Sequence, residues 1–193
     1  MRTILSLLAV ATLVAACQTD SAVETDSAAT MRRAPSADSL LPQPASFSPA
    51  IDGGPCVSDE EISAEQMIQL HTTMMVTGLT CHGAFRDPDL FNRYQDFTVA
   101  HSDRIIDSQG TLERYLGRTR GGNLARLFDS YRTRMANHEA QQVMSMSATQ
   151  YCRDQYDRFY AIAEFSPSDL EGYLNRAVDR YRDRYAACGG SET

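Results

Sequence analysis

The stretch Ser58–Cys81, SDEEISAEQMIQLHTTMMVTGLTC, decides the fold class. Ser58 followed three residues later by Glu61 has the spacing of a capping box, in which each side chain takes the other residue's backbone N–H. Asp59, Glu60 and Glu61 crowd the first turn, where the positive end of the helix dipole favours carboxylates. Beyond them Met67, Leu70, Met74, Gly78 and Cys81 recur at steps of three and four, the period of one helical face. This run reads as a helix that starts after Ser58 and buries one side.

The same period continues to the end of the chain. Asp87-Pro88 is a capping residue followed by proline at the first helical position, and it opens a second stripe: Leu90, Tyr94, Phe97, His101 and Ile105. Gly110 is expected to stop that helix, and a short turn over 112–116 runs into Gly121-Gly122. Asn123 caps a third long helix with stripe Leu124, Leu127, Tyr131, Met135 and His138. A fourth carries Ala148, Cys152, Gln155 or Tyr156, Phe159 and Ala163. Ser166-Pro167 ends it and caps a fifth, with stripe Leu170, Leu174, Ala177 or Val178, Tyr181, Tyr185 and Cys188, closed by Gly189-Gly190. No stretch alternates with period two for long. The expectation is an all-α bundle of about five helices over residues 51–190, each burying one face, with 191–193 as a tail.

Residues 18–50 differ in kind. They are rich in Ser, Ala, Thr and Pro, and Pro35, Pro42, Pro44 and Pro49 would break any helix. They read as a disordered tether of 33 residues, spanning roughly 30 Å root-mean-square as a flexible chain.

Ahead of the tether stands MRTILSLLAVATLVAAC. Arg2, an apolar run from Ile4 to Val14 and the small residues Ala15 and Ala16 have the layout of a secretory signal over 1–16. The run is too short to span a bilayer, which takes about 20 residues. Its tail, Leu13-Val14-Ala15-Ala16-Cys17, resembles the lipobox of bacterial lipoproteins. The resemblance implies cleavage before Cys17 and covalent lipid on that residue. Several acyl chains hold a protein to a membrane far more firmly than one. Gln18, where an Asp would signal retention at the inner membrane, implies the outer membrane. The domain loosely resembles small secreted helical domains with paired cysteines from bacterial envelopes. No motif carries that likeness, so it lends no residues.

Four cysteines follow the signal: Cys56, Cys81, Cys152 and Cys188. In an oxidising compartment an even count reads as two disulfides. Cys56–Cys81 is disfavoured, because a helix of about 20 residues separates its ends by roughly 30 Å. Two connectivities remain. Cys56–Cys188 with Cys81–Cys152 is preferred, since the first bridge would staple the two ends of the domain. A straight helical hairpin bringing Cys152 and Cys188 to one end speaks for the other. No Cys-x-x-Cys spacing suggests zinc.

Charge narrows the partners. Without residues 1–16 the chain has 17 Arg against 25 acidic residues, which speaks against nucleic acid. There is no Lys, which removes Schiff-base and Ser-x-x-Lys chemistry, and no Gly-x-Ser-x-Gly elbow occurs. A glycan-cleaving enzyme would need a carboxylate in an apolar pocket, and neither Glu113, Glu139 nor Glu164 has neighbours that suggest one. No catalytic set emerges.

Two other sets of side chains stand out. His101 and His138 lie on apolar stripes, with His71 beside Met74 and Met75. Such imidazoles could hold copper or a haem, with Met144 and Met146 as additions. The competing reading is a histidine that hydrogen-bonds a carbonyl, and Cys81-His82 is no haem motif. On the fifth helix Tyr173, Arg176, Arg180 and Arg184 line up as a possible interface, interleaved with Asp179 and Asp183. Arg118 and Arg120 beside Gly121-Gly122 form a basic connector.

The functional expectation is a non-catalytic, membrane-anchored envelope lipoprotein. It would act as an interaction or structural module on another envelope protein or peptidoglycan, with no cofactor beyond its lipid. The alternatives are a metal- or haem-binding periplasmic bundle using His101 and His138, and a cell-wall-acting enzyme.

Overall fold

In the computed structural model, residues 40–41 and 56–184 are described. They are all-helical, with six α-helices: α1 (Asp59–Phe85), α2 (Pro88–Ala100), α3 (Ser102–Arg120), α4 (Leu124–Met146), α5 (Ala148–Ala163) and α6 (Pro167–Tyr181), followed by a 3-10 turn, Arg182–Arg184.

Helix starts follow local chemistry. Ser58 and Glu61 form the capping box on α1. The side chains of Asp87 and Asn123 accept N–H groups of α2 and α4. Ser166 caps α6 through a box with Asp169. Each such cap contributes about 1 kcal/mol. Arg86, in the left-handed region at φ 52°, turns the chain between α1 and α2. Ser147, at φ 90°, turns it between α4 and α5.

Three expectations about the helices are corrected. Gly110 does not stop a helix; α3 runs through it to Arg120, and Gly121 is its cap. An internal glycine costs only about 1 kcal/mol, and burial of Leu112, Tyr115 and Leu116 outweighs it. The break falls instead after Ala100, at His101, so the count is six. The last α-helix ends at Tyr181 and tightens into the 3-10 turn; residues 185–190 lie outside the described residues.

The third correction concerns α1, which does not bury one face. It contacts all five other helices and is the central rod of the bundle. Its buried positions include Glu61, Glu65, Gln66, His71, Thr72, Thr73 and Thr77 besides the expected stripe. The hydrogen bonds set the directions. Glu65 meets Tyr131 and Thr73 meets Glu139, both 66 residues apart, so α4 runs parallel to α1. Cys81 is bonded to Cys152, and Leu70 shares a cavity wall with Ile162, so α5 runs antiparallel. Gly78 faces Leu90 and Tyr94 while His71 meets Thr98, so α2 is antiparallel too.

The Cys81–Cys152 bridge is present, with Cα atoms 5.4 Å apart. It is the pairing that the preferred connectivity contains. One disulfide, not two, is seen among the described residues; Cys188 lies outside them, so the Cys56–Cys188 pair is not described.

Most of the expected tether also lies outside the described residues, as do the signal and Cys17. Two tether residues are described. Leu40 and Leu41 are 7% and 2% exposed and join the hydrophobic core. The Leu40 carbonyl accepts from Arg158 Nε at 2.8 Å. At these residues the expectation of a disordered segment fails. Burying a leucine is worth about 1.5–3 kcal/mol, enough to offset the roughly 1–2 kcal/mol per residue that ordering the backbone costs.

Candidate functional site

The face of α1 turned toward α4 and α5 carries a connected polar cluster. Thr73 Oγ1 donates to Glu139 Oε2 at 3.3 Å, and the Tyr151 hydroxyl donates to Glu139 Oε1 at 2.7 Å. The same hydroxyl lies 2.9 Å from Thr77 Oγ1. Burial, followed by the Glu139 charge, pushes the Tyr151 phenol far above its usual range, so Tyr151 stays a neutral donor. Beside these groups lies a cavity of about 10 Å³. Thr73, Thr77, Gln155 and Arg158 form its polar wall, and Met74 and Phe159 lie on the apolar one. That volume takes about one water. It is not a substrate cleft.

Arg158 stands where this cluster meets the N-terminal segment. Its Nε holds the Leu40 carbonyl and its Nη1 donates to Gln155 Oε1 at 3.2 Å. Burial pushes the Tyr173 phenol up to about 12, and the cationic Arg158 and Arg176 oppose this. Arg158 acts on Tyr173 through its charge, yet neither its buried Nη2 nor the Tyr173 hydroxyl has a partner at normal hydrogen-bond geometry.

Tyr173 is therefore removed from the expected interface: it is 0% exposed. A stripe through Leu170, Leu174 and Ala177 is wide enough to include position 173, so the step of three to Arg176 misled. Arg176 is half-buried and folds over Gly172. Arg180 is exposed, and the side chain of Arg184 lies outside the described residues. Asp179 pairs with Arg182 at 3.8 Å.

The histidines His71, His82 and His101 each meet a different partner. His101, 4% exposed, sits at the α2–α3 break with Nε2 3.1 Å from the Phe165 carbonyl and its ring 4.6 Å from that of Phe97. His138 is half-buried on α4. His71 is buried on α1, 3.1 Å from Thr98 Oγ1, and burial together with the Arg132 charge lowers its pKa to about 4. His82 Nδ1 lies 3.1 Å from the Asp87 carbonyl. Met74 is core, whereas Met144 and Met146 are exposed. Among the described residues no group of three or more His, Cys, Asp or Glu side chains is placed to hold a metal ion.

The acids are tied into the scaffold. Glu164 pairs with Arg93 and Glu61 with Arg118. Glu113 accepts from Gln109 at 2.9 Å. Sequence reasoning missed Glu65, a carboxylate 2% exposed that accepts from the Tyr131 hydroxyl at 2.7 Å. Its signal was available: between Ile62 and Phe85 it is the sole Asp, Glu or Arg, as befits a helix surrounded on all sides. No described helix is long and apolar enough to cross a membrane. Compared with protein-family models, curated proteins and solved structures, the chain matches none.

Proposed function

We propose that this chain is a lipid-anchored lipoprotein of the bacterial envelope, held to the outer membrane through Cys17. Its helical domain works without catalysis, as an interaction or structural module for another envelope protein or peptidoglycan. The observation that carries the reading is the Cys81–Cys152 bridge, the mark of an oxidising compartment, downstream of Leu13-Val14-Ala15-Ala16-Cys17. A second bridge, Cys56–Cys188, belongs to the same reading. Non-catalytic work is supported by the water-sized cavity and by carboxylates already engaged by Tyr, Thr and Arg side chains.

The test is expression of the full chain in a bacterium fed labelled palmitate, beside the Cys17→Ser variant. The wild-type chain is expected to carry label and sediment with outer membrane, and the variant to lose both while its domain stays folded. An unlabelled, soluble wild-type chain overturns the anchor. Co-sedimentation with purified peptidoglycan, and cross-linking in the intact envelope, then separate the two partner classes.

A further inference from the structure

We propose that Leu40–Leu41 is a reversible latch: the tether docks its paired leucines on the helical domain in cis, and Arg158 clamps the backbone between the tether and the fold. Both leucines are buried, and they belong to the same compact unit as the helices. A hydrogen bond from Arg158 Nε to the Leu40 carbonyl ties this segment to α5. Arg158 comes from the polar wall of the α1–α5 cavity, so the clamp is held by the bundle and not by the segment it grips. The helices it grips against are joined independently by Cys81–Cys152 and by the Tyr151–Glu139 and Tyr131–Glu65 hydrogen bonds. The gain from two buried leucines is of the same order as the cost of ordering the residues that carry them. Among the described residues, opening breaks that hydrogen bond and exposes those two side chains, while the ties within the bundle are separate from them.

The test is thiol labelling of the mature, unlipidated chain carrying Cys17→Ser and Leu41→Cys. Because no lipid is present, its outcome is independent of the palmitate experiment. The reference is Val99→Cys, at a position 75% exposed. An open state populated at roughly 0.1–10% gives labelling 10- to 1,000-fold slower than the reference. Adding Arg158→Gln is expected to speed it at least about tenfold while helix content stays constant. Labelling at the reference rate shows no docking. Labelling at the rate of global unfolding, measured by circular dichroism on the same Leu41→Cys chain, makes the segment permanent core. An unchanged rate with Arg158→Gln removes the clamp. Each of these three results overturns the proposal.

Discussion

The Tyr131 hydroxyl donates to Glu65 Oε1 at 2.7 Å, joining the outer helix α4 to a carboxylate inside the central helix. Both residues are almost wholly excluded from solvent. A hydrogen bond to such an acid is strong, and losing its donor leaves a buried acceptor short of a partner. Tyr131→Phe is expected to destabilise the domain by about 1–3 kcal/mol in urea unfolding, with the slope unchanged. A shift in midpoint within error would show that the bond contributes nothing net.

His71 gives the fold a pH dependence of known sign. Burial holds its pKa near 4, against 6.5 for an exposed histidine. The folded state therefore binds its proton less readily than the unfolded state. Stability from this residue is full above about pH 6.5 and is lost as pH falls toward 4, by roughly 3 kcal/mol in all. The difference between wild-type and His71→Gln urea midpoints, followed from pH 7.5 to 4, should shrink across that window. A constant difference would mean that His71 titrates normally.

The Cys81–Cys152 bridge closes a loop with a sequence separation of 71. Restricting the unfolded chain over that length is worth about 4 kcal/mol in the chain-entropy account, and less where the reduced state keeps structure. The double variant Cys81→Ser, Cys152→Ser should melt well below the parent in oxidising buffer. It should melt at its own temperature in reducing buffer. Equal melting of parent and variant without reductant would show that the bridge does not form in solution.

Two glycines of α1 should respond in opposite directions to alanine. A Cβ on Gly78 would sit 3.1 Å from Tyr94 Cβ and 3.3 Å from the Leu90 carbonyl, so α2 would have to move. Gly78→Ala should cost about 1–3 kcal/mol. Gly83 has nothing within 4 Å of that position, and Gly83→Ala should stabilise by about 0.5–1 kcal/mol through helix propensity. Melting temperatures of the two variants decide the matter, and a destabilised Gly83→Ala would contradict the close α1–α2 packing as its cause.

Helix starts were legible because a cap is written in a few adjacent residues. Ser58, Asp87, Asn123 and Ser166 were all read from their spacing and all accept the expected N–H. The breaks were less legible. Gly110 is a weak helix breaker overridden by tertiary burial, whereas the interruption at His101 has no local breaker, and the ring there meets a carbonyl 64 residues away. The central place of α1 was hidden by its threonines and glutamine, which a one-face reading assigns to solvent. They are buried against other helices or bonded across to α4 and α5. Leu40 and Leu41 carry no period at all, and Arg158, which holds the Leu40 carbonyl, lies 118 residues further along the chain. The candidate site fared the same way. Tyr151 and Glu139 meet across the α4–α5 turn, but Thr73, Thr77 and Arg158 join them only once three helices are assembled.

The parallel course of α1 and α4 has a consequence for the order in which the molecule is made. The central helix is synthesised before every helix that will surround it, and its ties reach forward by 66, 71 and 123 residues. Pairings this distant are slow to form for an all-helical domain, because the loop must close before the contact rewards it. Until α4 and α5 arrive, the faces of α1 that will meet them stand in water. Its glutamates, glutamine and threonines then serve as a solvating surface, and become interior hydrogen-bond partners once the later helices close around them.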